Sequence, residues 1–302
     1  MKKKKIIIDC DPGVDDALAI FLALASSDEI EVVGLTCVKG NVALDKTYVN
    51  AQRILAAAGR LDIPVHRGIA RPIMAAVGID TDVHGQDGLG DVGLPAPTGP
   101  QSDRATAVDF IIDQVSKAPG EIILCPIGPM TNIAVALLLD PSIAQKVQSI
   151  VFMGGAAFCP GNMNDHAEFN VLVDPHAAEI VMQCGAPLVM FGLDVTNQAQ
   201  ISPEHIAEMR DMGTTCGILS AQLLTAYAVG DINLHDPCVI AYLIDPSLFD
   251  GLQAQVKVVT DRGAEFGRTV AVPSETGNCW VATNLKAAPL FDLLQSRLRR
   301  LP

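Results

Sequence analysis

Basic residues, paired cysteines and long apolar runs are all scarce in this sequence, and each shortage closes off a class of protein. Lysine and arginine total 21 against 34 aspartates and glutamates, giving a net charge of −13. The only basic cluster is Lys2–Lys5 at the extreme terminus. An acidic surface repels phosphate backbones, so no nucleic acid is expected as a partner, whereas a divalent cation is compatible with it. The eight cysteines are scattered without CxxC spacing, which predicts reduced, mostly buried thiols in a cytoplasmic protein. Ile6–Ile8 ends at Asp9, far short of the apolar region of a secretory signal. Ala17–Ala25, the longest later apolar run, is too short to span a bilayer, so no membrane association is expected. Repeats, low-complexity tracts and linker-like stretches are missing too, which predicts one domain over residues 1–302.

What is present is a chain 49% hydrophobic and only 18% charged. A chain of this length buries roughly three-quarters of its unfolded surface, enough for one sizeable core. Short apolar runs alternate with helical patterns. Strands are expected at Ile6–Ile8, Val32–Val38, Glu121–Cys125, Ser149–Met153 and Pro187–Phe191. Helices are expected at about Asp15–Ser26, Asp45–Ala58, Arg104–Ser116, Thr131–Leu139 and Pro175–Gln183. Gln255–Val259 and Arg268–Val272 read as a strand pair before a last helix near Ala287–Arg299. Continuous apolar strands alternating with helices predict an α/β fold: an open, mostly parallel, Rossmann-like sheet with helices on both faces.

Three connections are too long to be turns: Arg67–Asp103, Gly154–Val173 and Tyr227–Asp236. Long loops carrying specific polar residues are commonly functional. In an open α/β sheet they gather beyond the carboxyl ends of the strands, where ligands bind.

The strongest motif is Asp9-Cys10-Asp11-Pro12-Gly13-Val14-Asp15-Asp16, directly after the first expected strand. Asp9 and Asp11 stand two apart, so an extended backbone aims both side chains the same way. Turn and cap preferences account for one or two of these aspartates, not for all four. Four carboxylates this close repel one another unless a cation or protons intervene, which predicts a metal site. The donors are all oxygen, which leaves calcium, magnesium or manganese.

That stretch resembles the signature of the nucleoside hydrolase family, the inosine-uridine-preferring and pyrimidine-specific ribonucleoside hydrolases among them. Gly40-Asn41, His84-Gly85, Ile127–Asn132, Met153-Gly154-Gly155, Gly161-Asn162, Glu168-Phe169-Asn170, Gly192-Leu193-Asp194 and His235-Asp236-Pro237 resemble further family blocks, in family order along nearly the whole chain. The resemblance implies calcium held by Asp11, Asp16, Asp236 and the Ile127 carbonyl, with a bound water deprotonated by Asp11. It implies ribose hydroxyls bonded to Asp15, Asn41 and Asn170, with Met153 also contacting substrate. Asn162 and Glu168 would hold the 5′ end, and His84 and His235 would face the base. A homodimer or homotetramer is the assembly it implies.

The chemistry is consistent with those roles. Departure of a base leaves an oxocarbenium-like ribosyl cation, which carboxylates and oxygen dipoles stabilise. A histidine titrates near working pH and suits protonation of the leaving base; His235, beside Asp236, is the expected donor. His66, His166, His176 and His205 lie in ordinary turn or helical contexts and are expected to be structural. Trp280 sits among apolar residues and is expected in the core. Asp194 could shape the site from behind or simply end its strand. Two competing readings are a magnesium-dependent phosphohydrolase and a non-catalytic ribose or nucleoside binder. The first would want lysine in the site loops, which carry neutral amides and carboxylates instead.

Overall fold

The structure, a computed structural model, describes residues 2–74, 83–95, 97 and 105–302. The expected helix start Arg104 and much of the Arg67–Asp103 connection lie outside the described residues. The chain opens with β1 (Lys4–Cys10), α1 (Val14–Ala25), β2 (Ile30–Cys37), α2 (Leu44–Ala57), β3 (Val65–Arg67) and α3 (Ala107–Lys117). The middle third runs β4 (Ile122–Pro126), α4 (Thr131–Leu139), α5 (Ile143–Lys146), β5 (Ser149–Met153), α6 (Phe169–Val173), α7 (Pro175–Met182) and β6 (Leu188–Phe191). Then follow α8 (Leu193–Thr196), α9 (Pro203–Asp211), α10 (Thr215–Tyr227), α11 (Pro237–Ile244), β7 (Phe249–Val258), β8 (Thr269–Pro273), β9 (Cys279–Leu285) and α12 (Ala287–Leu298).

The strands form one sheet in the order β3-β2-β1-β4-β5-β6-β9-β7-β8. From β3 to β9 neighbours run parallel; β7 is antiparallel to both β9 and β8. The expected α/β class with a mostly parallel sheet is therefore what forms. Alternation along each strand sorts its apolar residues onto two cores. Ile6, Ile8, Ile123, Cys125 and Val151 pack on one face with α1, α2, α10, α11 and α12. Ile7, Ile122, Leu124, Ile150 and Phe152 pack on the other with α3, α4 and α7. Both faces are covered, which is why the central strands read as unbroken apolar runs.

The strand order reverses at β1: the chain moves outward through β2 and β3, then returns to place β4 on the other side of β1. Loops leaving β1 and β4 therefore part in opposite directions and open a crevice at the carboxyl end of the sheet. Among the described residues no helix is long and apolar enough to cross a membrane. All eight cysteines are free, and six of them are buried.

Candidate active site

The crevice between β1 and β4 holds the acidic motif. After Cys10 the chain leaves β1, turns at Pro12-Gly13 and enters α1, whose first turn carries Asp15 and Asp16. Negative charge there complements the positive end of the helix. Asp16 reaches back over the turn: its carboxylate accepts from the Gly13 amide at 2.8 Å and the Asp11 amide at 3.2 Å. Asp11 is boxed in. Its Oδ2 accepts from the Asn41 amide at 2.7 Å, and a Cβ on Gly40 or Gly128 would run into its two oxygens.

Asp236, at the start of α11, arrives from the far end of the chain. Oxygens of Asp15, Asp16 and Asp236 lie within 4.8 Å of one another, all three residues being buried. Asp11 stands beside this trio rather than in it. Burial pushes the Asp11 and Asp236 carboxyls well above the usual carboxylate range, and neighbouring aspartate charges push the same way. Asp16 is pushed up to about 7, first by burial and then by Asp15. Asp9 also rises to about 7 through burial, although Thr36 and Asn132 donate to its Oδ1 at 2.5 and 2.7 Å. Lysine and arginine are missing from the wall of the crevice among the described residues. Buried carboxylates crowded without a cationic side chain are costly, and an all-oxygen trio is what a hard divalent cation takes up. The residues present fit such an ion.

The cavity, about 250 Å³, is lined by fourteen further residues besides Asp15 and Asp236, and the expected substrate contacts Asn41, His84, Met153, Asn162, Glu168 and Asn170 are all in its wall. Ile127 and His235 line it as well, whereas Asp11 and Asp16 lie behind that surface. The Asn170 amide donates to the Ile127 carbonyl at 3.1 Å and the Met153 carbonyl at 3.3 Å. Glu168 caps α6, accepting from Asn170 and Val171 and also from Gly155, so its oxygens already serve the backbone. Asn162 Oδ1 likewise accepts from the Phe169 amide. Asp194 accepts from the Ala157 and Phe158 amides at 2.8 and 2.6 Å, anchoring the loop that carries Asn162. It acts from behind the site.

Two histidines line the cavity in different states. His84 Nδ1 accepts from the Val14 amide at 3.0 Å, and burial lowers its pKa, so the ring is held neutral. For His235 burial lowers the pKa, but the Asp231 hydrogen bond and the charges of Asp15, Asp231 and Glu168 outweigh that, and the net shift is upward. Its Nδ1 meets Thr196 Oγ1 at 2.8 Å and its Nε2 meets Asp231 Oδ2 at 3.2 Å. Tyr227 tilts against His84, ring centres 5.3 Å apart, while its hydroxyl donates to Asn233. Thr196 and Asp231 were not legible in the sequence: neither stands in a motif, and only the fold brings them to His235. Trp280, expected in the core, is only half-buried: it packs against the core beside Tyr242 and Phe191, away from the cavity.

An α/β sheet with buried carboxylates at its switch point, amides around the cavity and a partnered histidine in its wall forms a polar site for a small ligand beside a candidate cation site. The family model described as inosine-uridine preferring nucleoside hydrolase matches residues 6–292. The chain is 40% identical to a pyrimidine-specific ribonucleoside hydrolase of Escherichia coli over 97% of this chain and 94% of that one. It superposes on a plant nucleoside hydrolase with a TM-score of 0.92 and 34% identity, covering 98% of this chain and 99% of the other. A purine-preferring ribonucleoside hydrolase from Gardnerella vaginalis gives a TM-score of 0.91 at 34% identity, with 98% of both chains covered. This chain belongs to the nucleoside hydrolase family and is a glycosidase acting on N-ribosyl bonds.

Proposed function

We propose that the chain cleaves ribonucleosides to ribose and free base with Asp11 as general base, His235 as acid to the leaving base, and calcium as cofactor. The observation that carries this is a cavity lined by Asp15, Asp236 and His235, with Asp16 beside the two aspartates just behind its wall. Asp11, Asp16, Asp236 and the Ile127 carbonyl would hold the ion. Calcium suits this set better than magnesium, because it accepts more oxygens, backbone carbonyls included, in less regular geometry. When bound, the ion would acidify the attacking water and orient the sugar hydroxyls.

The chain's own residues supply the rest. Asp11 takes a proton from water as its oxygen bonds to the ribosyl anomeric carbon. Asp15, Asn41 and Asn170 bind the sugar hydroxyls, while Met153 covers the ring. Asn162 and Glu168 shape the 5′ end. As the anomeric carbon–nitrogen bond breaks, His235 gives its proton to the departing base, and His84 borders that base from the opposite wall. The one continuous sheet supports reading residues 1–302 as one domain.

The test is sugar release from uridine and 2′-deoxyuridine with calcium present. A site built to bond a hydroxyl rejects the analogue lacking it, by about 10⁴ or more. Equal rates would overturn the assignment of Asp15, Asn41 and Asn170. Release of inorganic phosphate from phosphate esters would favour the phosphohydrolase reading, which a cavity wall without lysine or arginine argues against.

A further inference from the structure

Asp231 touches the proposed acid His235, but the proposed cleavage gives it no contact with the base. It lies in the connection between α10 and α11, beside Gly230, and both residues line the cavity. Gly230 faces Val83 from the opposite loop, so this is the mouth of the cavity, not its acidic floor. The His235 ring separates Asp231 from the neighbouring Asp236 and its cluster. Asp231 Oδ2 lies 3.2 Å from His235 Nε2, one hydrogen bond from the ring nitrogen that would protonate the base.

The carboxylate is rigidly held. Oδ1 accepts from the Asn233 amide and side chain, both at 2.8 Å, and Oδ2 accepts from His235 at 3.2 Å. A carboxylate offers about four acceptor directions, so roughly one is left over. The side chain is 23% exposed, and Asp231 is part of the cavity wall. Burial raises the Asp231 pKa, yet the His235 and Asn233 bonds outweigh it and lower it overall, so the group acts as an acceptor only.

We propose that Asp231 is a specificity residue for the base: its free acceptor direction takes an N–H of an exocyclic amino group at the distal edge. Cytosine and adenine carry an amino group there, at pyrimidine position 4 and purine position 6. Uracil and hypoxanthine carry a carbonyl oxygen at the same places, and a carbonyl facing a fixed carboxylate is repelled. The enzyme therefore favours amino bases over oxo bases, cytidine over uridine and adenosine over inosine. This rests on the reading of the cavity as a ribonucleoside site.

The experiment measures kcat/KM of the calcium-loaded enzyme on those two pairs, for the natural chain and for Asp231→Asn. A hydrogen bond to a charged group sets the scale, so the natural chain should prefer the amino member of each pair by about 10- to 100-fold. The variant should lose most of that ratio, because an amide can turn a donor toward the carbonyl. Should the variant not fold, the ratio in the natural chain still decides. Equal rates or an oxo preference in the natural chain overturns the proposal, as does a variant whose two members of each pair fall together; that pattern makes Asp231 a support for His235 alone. Failure to release sugar from any ribonucleoside sinks the underlying reading, and is distinct from a wrong preference.

Discussion

The His235 ring is tied at its Nδ1 to the hydroxyl of Thr196, 2.8 Å away and fully buried. Thr196 closes α8, the same four-residue helix whose Asp194 anchors the loop bearing Asn162. One short helix thus aims the base side and the sugar side of the cavity together.

Thr196→Val keeps the shape and removes the hydroxyl, leaving Nδ1 without its partner. Small misplacements of a reacting group are expensive, so kcat on uridine should fall by about 10- to 100-fold. KM should change little, and p-nitrophenyl riboside, whose leaving group needs no proton, should be spared. Thr196→Ser should restore the rate. Equal losses on both substrates would show that Thr196 supports the fold and not the ring.

Asp11→Asn preserves the hydrogen bond from Asn41 but cannot take up a proton. General base catalysis is worth about 10²–10⁴-fold, and kcat should drop by that much. Rates within about tenfold of the natural chain would place the base elsewhere.

Gly40→Ala drives a methyl group into Asp11 Oδ2. The carboxylate must then turn, and a shift of about 1 Å should cost about 100-fold in kcat. Far-ultraviolet circular dichroism should match the natural chain. Full activity would mean that Gly40 does not fix the orientation of Asp11.

Chelation should reveal the acidic cluster through pH. Without metal, Asp16 has its folded pKa raised to about 7 from an ordinary 3.8. A raised folded value favours the fold below the unfolded pKa and withdraws that support as pH climbs through the folded one. The metal-free protein therefore weakens between these two values, while a bound cation replaces the proton. A chelator should lower Tm more at about pH 8 than at about pH 6, and calcium affinity should weaken as pH falls below about 7. Equal losses of Tm at the two pH values would mean that no ion sits on Asp16.

Much of this was legible in the sequence, because the signals were local. β5 and α4 have the expected limits, and β1, β2, β4 and β6 lie within two residues of theirs. Asp236 was placed near Asp16 only through family resemblance, since no periodicity links residues so far apart. β9 escaped notice because its alternation is imperfect and its neighbours, β6 and β7, are set by topology. β7 begins six residues before its expected start for the same reason: its first half pairs with β9. The helices α9 and α10 lie in a stretch that carried no motif. The sequence pointed to Asp11 with Asp16 and Asp236 around a metal, and Asp15 also lies with Asp16 and Asp236 in a trio of oxygens within 4.8 Å of one another. Spacing in sequence cannot tell which side of the α1 entry each carboxylate takes.

Every residue of α1 is buried, and the helix packs against α10, α11 and α12. Those partners lie within residues 215–298, whereas α1 spans residues 14–25. During synthesis an apolar helix, with two aspartates at its head, is made well before the helices that cover it. Forms truncated before residue 215 therefore leave the apolar faces of α1 that α10, α11 and α12 cover without those partners, and transiently exposed surface of that kind favours aggregation.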